Sequence, residues 1–157
     1  HGGTDILQIA PSGLTITSGQ EHIACLQLTG RGPLRWYAAC CRSLLANTAG
    51  SAKLPFLSLI VATLQKNTQP AELDAVFGPV RYRIFASAAT GDRSTLDAAD
   101  GVPFGMLARA VGTLIVNRLR GEQRRSPFFD GETLAPVAQP ERVDIANIDA
   151  GRPAADN

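Results

Sequence analysis

Short apolar segments separated by turn-forming residues fill the first ninety positions, and they constrain the fold of this chain most. Residues 5–9 and 14–17 alternate apolar and polar side chains on either side of an Ala-Pro-Ser-Gly turn, and residues 22–28 and 34–38 flank a Gly-Arg-Gly-Pro turn. A period of two is typical of strands that bury one face, and Gly and Pro favour the turns between strands. The sequence therefore predicts two β-hairpins here.

Two further strands are predicted downstream of these hairpins. Residues 54–64 are rich in Leu, Ile and Val, which suits a buried strand, with a helix as the alternative. Residues 80–86 alternate in the manner of a strand, and residues 70–77 favour one or two helical turns. The segment 1–90 is therefore expected to be β-rich.

The clearest helical pattern covers residues 103–120. Asp100 and Pro103 stand at its start, where a carboxylate and a proline suit a helix N-terminus, and Gly105 and Gly112 lower its intrinsic stability slightly. Its apolar residues recur at intervals of three and four, as on one helix face: Phe104, Leu107, Ala108, Val111, Leu114, Ile115 and Leu119. The sequence predicts one long C-terminal helix.

Residues 1–135 are predicted to form one α+β domain, mainly β, with the β-rich part at 1–90 and the helix at 103–120. The chain has 157 residues, enough to bury a core without disulfide bonds. Proline, acidic and small residues characterise 136–157, which predicts an irregular tail. The chain begins at His1 and enters a strand pattern almost at once, so we expect it to be a fragment that lacks its upstream part.

Composition argues against several classes of partner. A net charge of +1 gives no general attraction to nucleic acid or to a membrane surface, and no apolar run has the length of a membrane span. Three cysteines are an odd number, which argues against a secreted disulfide framework. We therefore expect a cytoplasmic protein with no nucleic-acid or membrane partner.

The sequence contains few residues that could support histidine-based chemistry. His1 and His22 are the only imidazoles, so neither a histidine metal site nor a Ser-His-Asp triad is indicated, and we expect His22 to be solvent-exposed. No phosphate-binding loop appears.

Four arginines close the helical segment and follow it: Arg118, Arg120, Arg124 and Arg125. Cations interact favourably with a helix C-terminus, so a solvated helix end is the expected role, with an anion or RNA site as the alternative. The next aromatic residues, Phe128 and Phe129, are expected to pack back on the domain.

Cys40 and Cys41 are adjacent in the segment RWYAACCRS. Neighbouring Cα atoms lie closer than an unstrained disulfide prefers, and no Cys-x-x-Cys redox motif is present. If a strand ends here in a turn, the two side chains point in different directions, so at most one would face a given metal ion. The residues alone favour two buried thiols, with a zinc ligand as the alternative.

Residues 5–48 nevertheless resemble the second half of the glutathione-dependent formaldehyde-activating enzyme family, which has an Mss4-like fold of antiparallel β-sheets. In that family an aromatic strand leads into a Cys-x-x-Cys-Gly-Thr-Pro-Leu zinc knuckle, and residues 41–45 fall on its Cys-Gly-Thr-Pro-Leu part. More closely, residues 1 to about 135 are similar to an uncharacterised branch, the DUF6151-type proteins. The shared segments are RWYA-x-CC, KLPF at 53–56, GDRS-x-LDA at 91–98 and RRSPFFD at 124–130.

The resemblance implies a zinc ion as cofactor, with Cys41 and Cys40 as its ligands in this chain. Ala38 stands where the first knuckle cysteine would be, and the upstream Cys-x-Cys and Cys-x-x-Cys elements of that family do not occur in the sequence. Thiolate-bound zinc takes about four ligands in a closed site. Cys25, Cys40 and Cys41 do not reach four, so the implied site is incomplete here.

Two kinds of function follow from the resemblance. The first is a zinc-associated protein similar to carbon-sulfur lyases that act on a glutathione-type thiol and a small aldehyde, with catalytic residues unassigned. The alternative is a non-catalytic protein-interaction module, in which the helix at 103–120 offers a partner surface or a homodimer seam. Under that alternative, the apolar face of the helix should be exposed in a monomer. An inactive truncated product is the third outcome.

Overall fold

The fold is built on one six-stranded sheet. The computed structural model describes residues 3–64, 75–91 and 96–142. Its strands are β1 (Ile6–Ile9), β2 (Ile23–Gln27), β3 (Leu34–Ala38), β4 (Ser43–Thr48), β5 (Leu57–Ile60) and β6 (Pro140–Arg142). They lie in the order β1-β5-β4-β3-β2-β6, and all neighbours are antiparallel except β2 and β6, which are parallel. Six strands and one long helix agree with the predicted α+β class, mainly β.

The hairpin predicted around the Gly-Arg-Gly-Pro turn is confirmed. Strands β2 and β3 pair antiparallel, with Ile23 opposite Ala38 and Gln27 opposite Leu34. Strand β4 adds to the other side of β3, and the register shifts between Trp36 and Tyr37. Such a bulge bends a strand locally and increases its twist.

The first predicted hairpin is wrong. Residues 14–17 form no strand, and a 3-10 turn at Pro11–Gly13 follows β1 directly. Strand β1 instead pairs with β5, where Ile9 lies opposite Leu57. Alternation predicts that a segment is extended, but it carries no information on which distant strand pairs with it.

The buried strand predicted within residues 54–64 is confirmed as β5, which is buried at every position. It is shorter than predicted, because the chain turns into the four-residue helix α1 (Val61–Leu64). The strand predicted at 80–86 is wrong. Only a single bridge joins Ile84 to Ala99, and a 3-10 turn follows at Ala86–Ala88.

Of the helical turns predicted at 70–77, only residues 75–77 are described, and they are helical. Within the segment predicted as an irregular tail, Pro140–Arg142 form β6, while residues 143–157 lie outside the described part of the chain. No helix among the described residues is long and apolar enough to cross a membrane.

Trp36 on β3 is the centre of the core and is 0% exposed. Its ring stacks on Phe128 with centroids 4.8 Å apart and meets Phe129 edge-on at 5.9 Å. Its indole N–H donates a 2.8 Å hydrogen bond to Thr48 Oγ1 on β4, so the buried polar group is satisfied. Phe128 and Phe129 therefore pack back on the domain, as predicted.

The long helix α2 (Phe104–Leu119) is confirmed within one residue at each end. Among the described residues, no α2 side chain belongs to the apolar cluster of the core or packs against it. The helix is tied near its C-terminus to the loop before β5, where Asn117 Nδ2 donates to the Pro55 carbonyl at 3.1 Å and Arg118 Nη1 donates to the Lys53 carbonyl at 3.4 Å. Among the described residues, the hydrogen bonds from α2 to the rest of the domain therefore lie at its C-terminal end.

A buried carboxylate fixes the segment that follows α2. Glu122 begins a 3-10 turn, and its two oxygens accept hydrogen bonds from the Ser12 backbone N–H at 2.8 Å and the Ser12 hydroxyl at 3.0 Å. Arg125 Nη1 lies 3.8 Å from the same carboxylate. The turn after β1 and the turn after α2 are thereby held together across most of the sequence.

Replacing Phe128 with Ala should lower the free energy of unfolding by about 3–5 kcal/mol, because it leaves a cavity beside Trp36. The matched change Phe85→Ala should lower it by less than about 0.5 kcal/mol, because the Phe85 side chain is exposed. Urea denaturation of both variants measures the difference. Equal losses would mean that the Trp36–Phe128 stack is not the centre of the core.

Candidate functional site

Cys40 and Cys41 lie in the tight turn that joins β3 to β4. The turn is closed by hydrogen bonds from the backbone N–H groups of Cys41 and Arg42 to the Ala38 carbonyl, at 3.3 Å and 2.7 Å. Arg42 has a φ of 57°, in the left-handed region that non-glycine residues rarely occupy. Both cysteines are exposed, so the interpretation as two buried thiols is wrong.

The two thiols lie side by side at this turn. The Cys40 and Cys41 side chains share a hydrogen bond, which together with slight burial and the charge of Cys41 raises the pKa of the Cys40 thiol. Cys41 Sγ also donates to Ser43 Oγ at 3.2 Å. The prediction that the two side chains point in different directions is wrong, because in the turn at residues 39–42 the two thiols share a hydrogen bond.

The third cysteine is in a different environment. Cys25 lies on β2 opposite Trp36 and is 1% exposed, and burial raises the pKa of its thiol to about 11. Within residues 3–64, 75–91 and 96–142, no group of three or more His, Cys, Asp or Glu side chains is placed to hold a metal ion. The described residues therefore do not by themselves fit a closed four-ligand zinc site.

The other residues that the sequence singled out lie on the surface. His22 is exposed and its Nε2 is 3.5 Å from Glu21 Oε1, as predicted for a surface histidine. The four arginines at and beyond the end of α2 are all exposed, in agreement with a solvated helix end. The sequence did not single out Glu122, because nothing in an arginine-rich segment indicates which carboxylate will be buried.

An extended apolar surface lies on α2. We call it the outer face, and it comprises five exposed side chains spaced by three and four residues: Phe104, Leu107, Val111, Ile115 and Leu119. Phe104 and Leu119 at its two ends are 84% and 82% exposed. Helical spacing places all five within one stripe of the helix.

The opposite side of α2 is partly buried and mixes polar residues with apolar ones such as Leu114. Ala110 and Thr113 are partly buried, and Asn117 is buried with its amide bonded to the Pro55 carbonyl. Five large apolar side chains, those of the outer face, are thus exposed to solvent. In a helix that packs only on its own domain, the apolar stripe faces the core instead.

Helix α2 has few other sources of stability. Pro103 at its N-cap makes no side-chain capping bond, and no acidic residue lies in the first turn. Gly105 and Gly112 face open space, and each costs about 1 kcal/mol relative to Ala in a helix interior. Because most of the stability of a helix in a protein comes from packing, a partner on the outer face would stabilise α2 further.

Comparison with known proteins identifies the family of this chain but does not identify a function. The family model described as "Family of unknown function (DUF6151)" matches residues 1–141, which confirms the closer of the two resemblances seen in the sequence. No curated protein and no solved structure matches the chain.

The three thiols should differ in their reaction with iodoacetamide. Cys40 and Cys41 are exposed and should be alkylated in the native protein, while Cys25 should react only after unfolding. The rate at Cys40 should rise at a higher pH than that of an ordinary thiol, because its pKa is raised chiefly by the hydrogen bond with Cys41. Peptide mass spectrometry over a pH series measures these rates.

Cys41→Ala provides the control, because it removes that hydrogen bond and should shift the Cys40 profile to lower pH. An unchanged profile in this variant would show that the two thiols do not interact.

Proposed function

Since the chain belongs to the DUF6151 family, whose function is unknown, we propose from its own surface that the domain is a protein-interaction module that binds through the outer face of α2. The observation that carries this proposal is the exposure of the entire outer face. Fold alone does not fix function, so the argument rests on this surface.

The exposed apolar residues of the outer face form one contiguous patch. Single exposed apolar side chains are common on any protein surface, whereas a continuous stripe of this size on a monomer marks an interaction site. The outer face runs the full length of α2, from Phe104 to Leu119, and exposed Val102 lies just before it. Leaving this stripe in water costs free energy that a bound partner would recover.

The composition of the stripe also suits a protein partner. Its five side chains are Phe, Leu, Val, Ile and Leu, without a charged group among them. Apolar residues on one helix face, spaced by three and four, dock into apolar grooves or against a second helix. An amphipathic helix of this kind is a recurring recognition element.

A second proposal concerns the thiol pair. The contact of two exposed thiols at the β3–β4 turn favours it, because an Mss4-like fold would make this turn half of a zinc knuckle. The protein would then be zinc-associated and similar to carbon-sulfur lyases that act on a glutathione-type thiol and a small aldehyde. Cys40 and Cys41 would supply two zinc ligands, and the others would come from outside the described residues.

The first proposal predicts that a charge on the outer face leaves the fold intact. Ile115 is 55% exposed, so Ile115→Asp should change the free energy of unfolding by less than about 1 kcal/mol in dilute solution. The matched change Leu57→Asp places the same charge in the core and should cost several kcal/mol. Urea denaturation followed by tryptophan fluorescence compares the two.

If Ile115→Asp destabilised the chain as much as Leu57→Asp, the outer face would be part of the chain's own core, and the proposed interaction surface would not exist.

The second proposal predicts zinc in the purified chain. Cys40→Ser and Cys41→Ser should each lower the zinc content measured by mass spectrometry, because each removes a thiolate ligand. Cys25→Ser is the control, since Cys25 is buried in the sheet and should not affect the metal. Zinc content that is the same in all three variants, or negligible in the parent chain, would contradict this proposal.

A further inference from the structure

We infer that the partner of the outer face is a second copy of this chain, and that the two α2 helices pack antiparallel about a two-fold axis. This inference rests on the proposed function, because it names the partner for the same surface. Three features of α2 carry it: the area of the outer face, its symmetry along the helix, and the charges at the two ends.

The area is sufficient for a symmetric pair. The exposed parts of the five outer-face side chains amount to on the order of 500 Å² per copy, so a pair would bury on the order of 1,000 Å², the lower limit for a specific interface. Backbone and flanking residues would add to this value. A two-fold pair uses the same patch twice and therefore covers the whole stripe on both copies.

The outer face is also complementary to itself. Its midpoint lies between Val111 and Gly112, so reversing the helix places Phe104 opposite Leu119 of the partner subunit. Near the two-fold axis, Gly112 borders the outer face and lies beside Val111 of the partner subunit. A large side chain then meets a position without one, which lets two helix backbones approach closely.

This arrangement gives Gly112 a role that the single chain does not provide. A Cβ at Gly112 would meet no atom within 4 Å in the single chain, so no intramolecular contact requires glycine there. The residue nevertheless lowers the stability of the helix. Close approach of a partner helix is a physical reason for a glycine at this point.

Charges at the two ends of α2 favour the antiparallel orientation. Asp97 and Asp100 are exposed before the helix, and Arg118 and Arg120 are exposed at its end. An antiparallel pair brings the aspartates of each copy near the arginines of the other and also opposes the helix dipoles. A parallel pair would bring the four arginines together.

The test uses the full chain and a matched pair of Val→Asp variants. Light scattering and sedimentation velocity over a concentration series should show a dimer for the parent chain and a monomer for Val111→Asp. Val116→Asp is the control, because Val116 is also exposed on α2 but lies outside the outer face. The inference is overturned if the parent chain stays monomeric or if both variants remain dimeric.

Gly112→Leu keeps the test informative even if Val111→Asp folds poorly. The single chain has room for the new side chain at this position, and leucine is a better helix former, so the thermal unfolding temperature should rise. The dimer should nevertheless dissociate about tenfold more readily, because the partner's Val111 loses its space. A more stable chain with unchanged dimer affinity would contradict the proposed contact.

Cysteine crosslinking tests the orientation in a Cys40→Ser/Cys41→Ser background. Val111→Cys should form an intermolecular disulfide, because this position lies next to the two-fold axis. Phe104→Cys should not, because a helix rises about 1.5 Å per residue and the two copies of this position would be roughly 20 Å apart. A crosslink at Phe104→Cys instead would indicate a parallel pair.

These results separate the inference from the proposed function. A monomeric parent chain, together with an Ile115→Asp variant of normal stability, would overturn the self-association and leave the outer face as a surface for another protein. If Ile115→Asp and Val111→Asp each abolished folding of the chain, the self-association and the proposed function would both be overturned.

Discussion

The stack of Trp36 on Phe128 is the contact on which the rest of the structure depends. It joins the middle strands of the sheet to a segment more than ninety residues later in the chain, with ring centroids 4.8 Å apart. The buried Glu122 carboxylate fixes the same segment to Ser12 through two hydrogen bonds. Because α2 immediately precedes this segment, the position of its C-terminal end follows from these two contacts.

The direction of the outer face follows from how α2 is attached. Asn117 is buried with its amide bonded to the Pro55 carbonyl, so the side of the helix that carries Asn117 faces the loop before β5. The stripe from Phe104 to Leu119 lies on the other side and faces outward. In the described part of the chain, the hydrogen bonds that tie this helix to the rest of the domain lie at its C-terminal end, and a partner on the outer face would add stability to a helix with two glycines and no capping side chain.

Local features of the fold were predictable from the sequence, and features set by distant contacts were not. The β2–β3 hairpin and α2 follow from periodicity and turn residues within a few positions. Strand β1 pairs with β5, some fifty residues away, and the alternation of residues 6–9 carries no signal for that choice. Residues 80–86 alternate like a strand, yet only Ile84 forms a bridge.

In the candidate sites, too, local features were predictable from the sequence and features set by distant contacts were not. The helical spacing of the outer face is visible in the sequence, but its exposure depends on the contact between Asn117 and Pro55, which are 62 positions apart. The hydrogen bond between the Cys40 and Cys41 thiols forms in the β3–β4 turn, whose conformation, with Arg42 in the left-handed region, the sequence pattern does not predict.

The central claim is that α2 is stabilised by a partner on its outer face, and hydrogen–deuterium exchange of α2 as a function of chain concentration tests it most directly. If two copies pair through this face, the amides in the middle of the helix, around Val111 and Gly112, should become more protected as the concentration rises, while those of β3 stay unchanged. Protection of α2 that is already as strong as that of β3 at the lowest concentration, and does not change, would contradict the account.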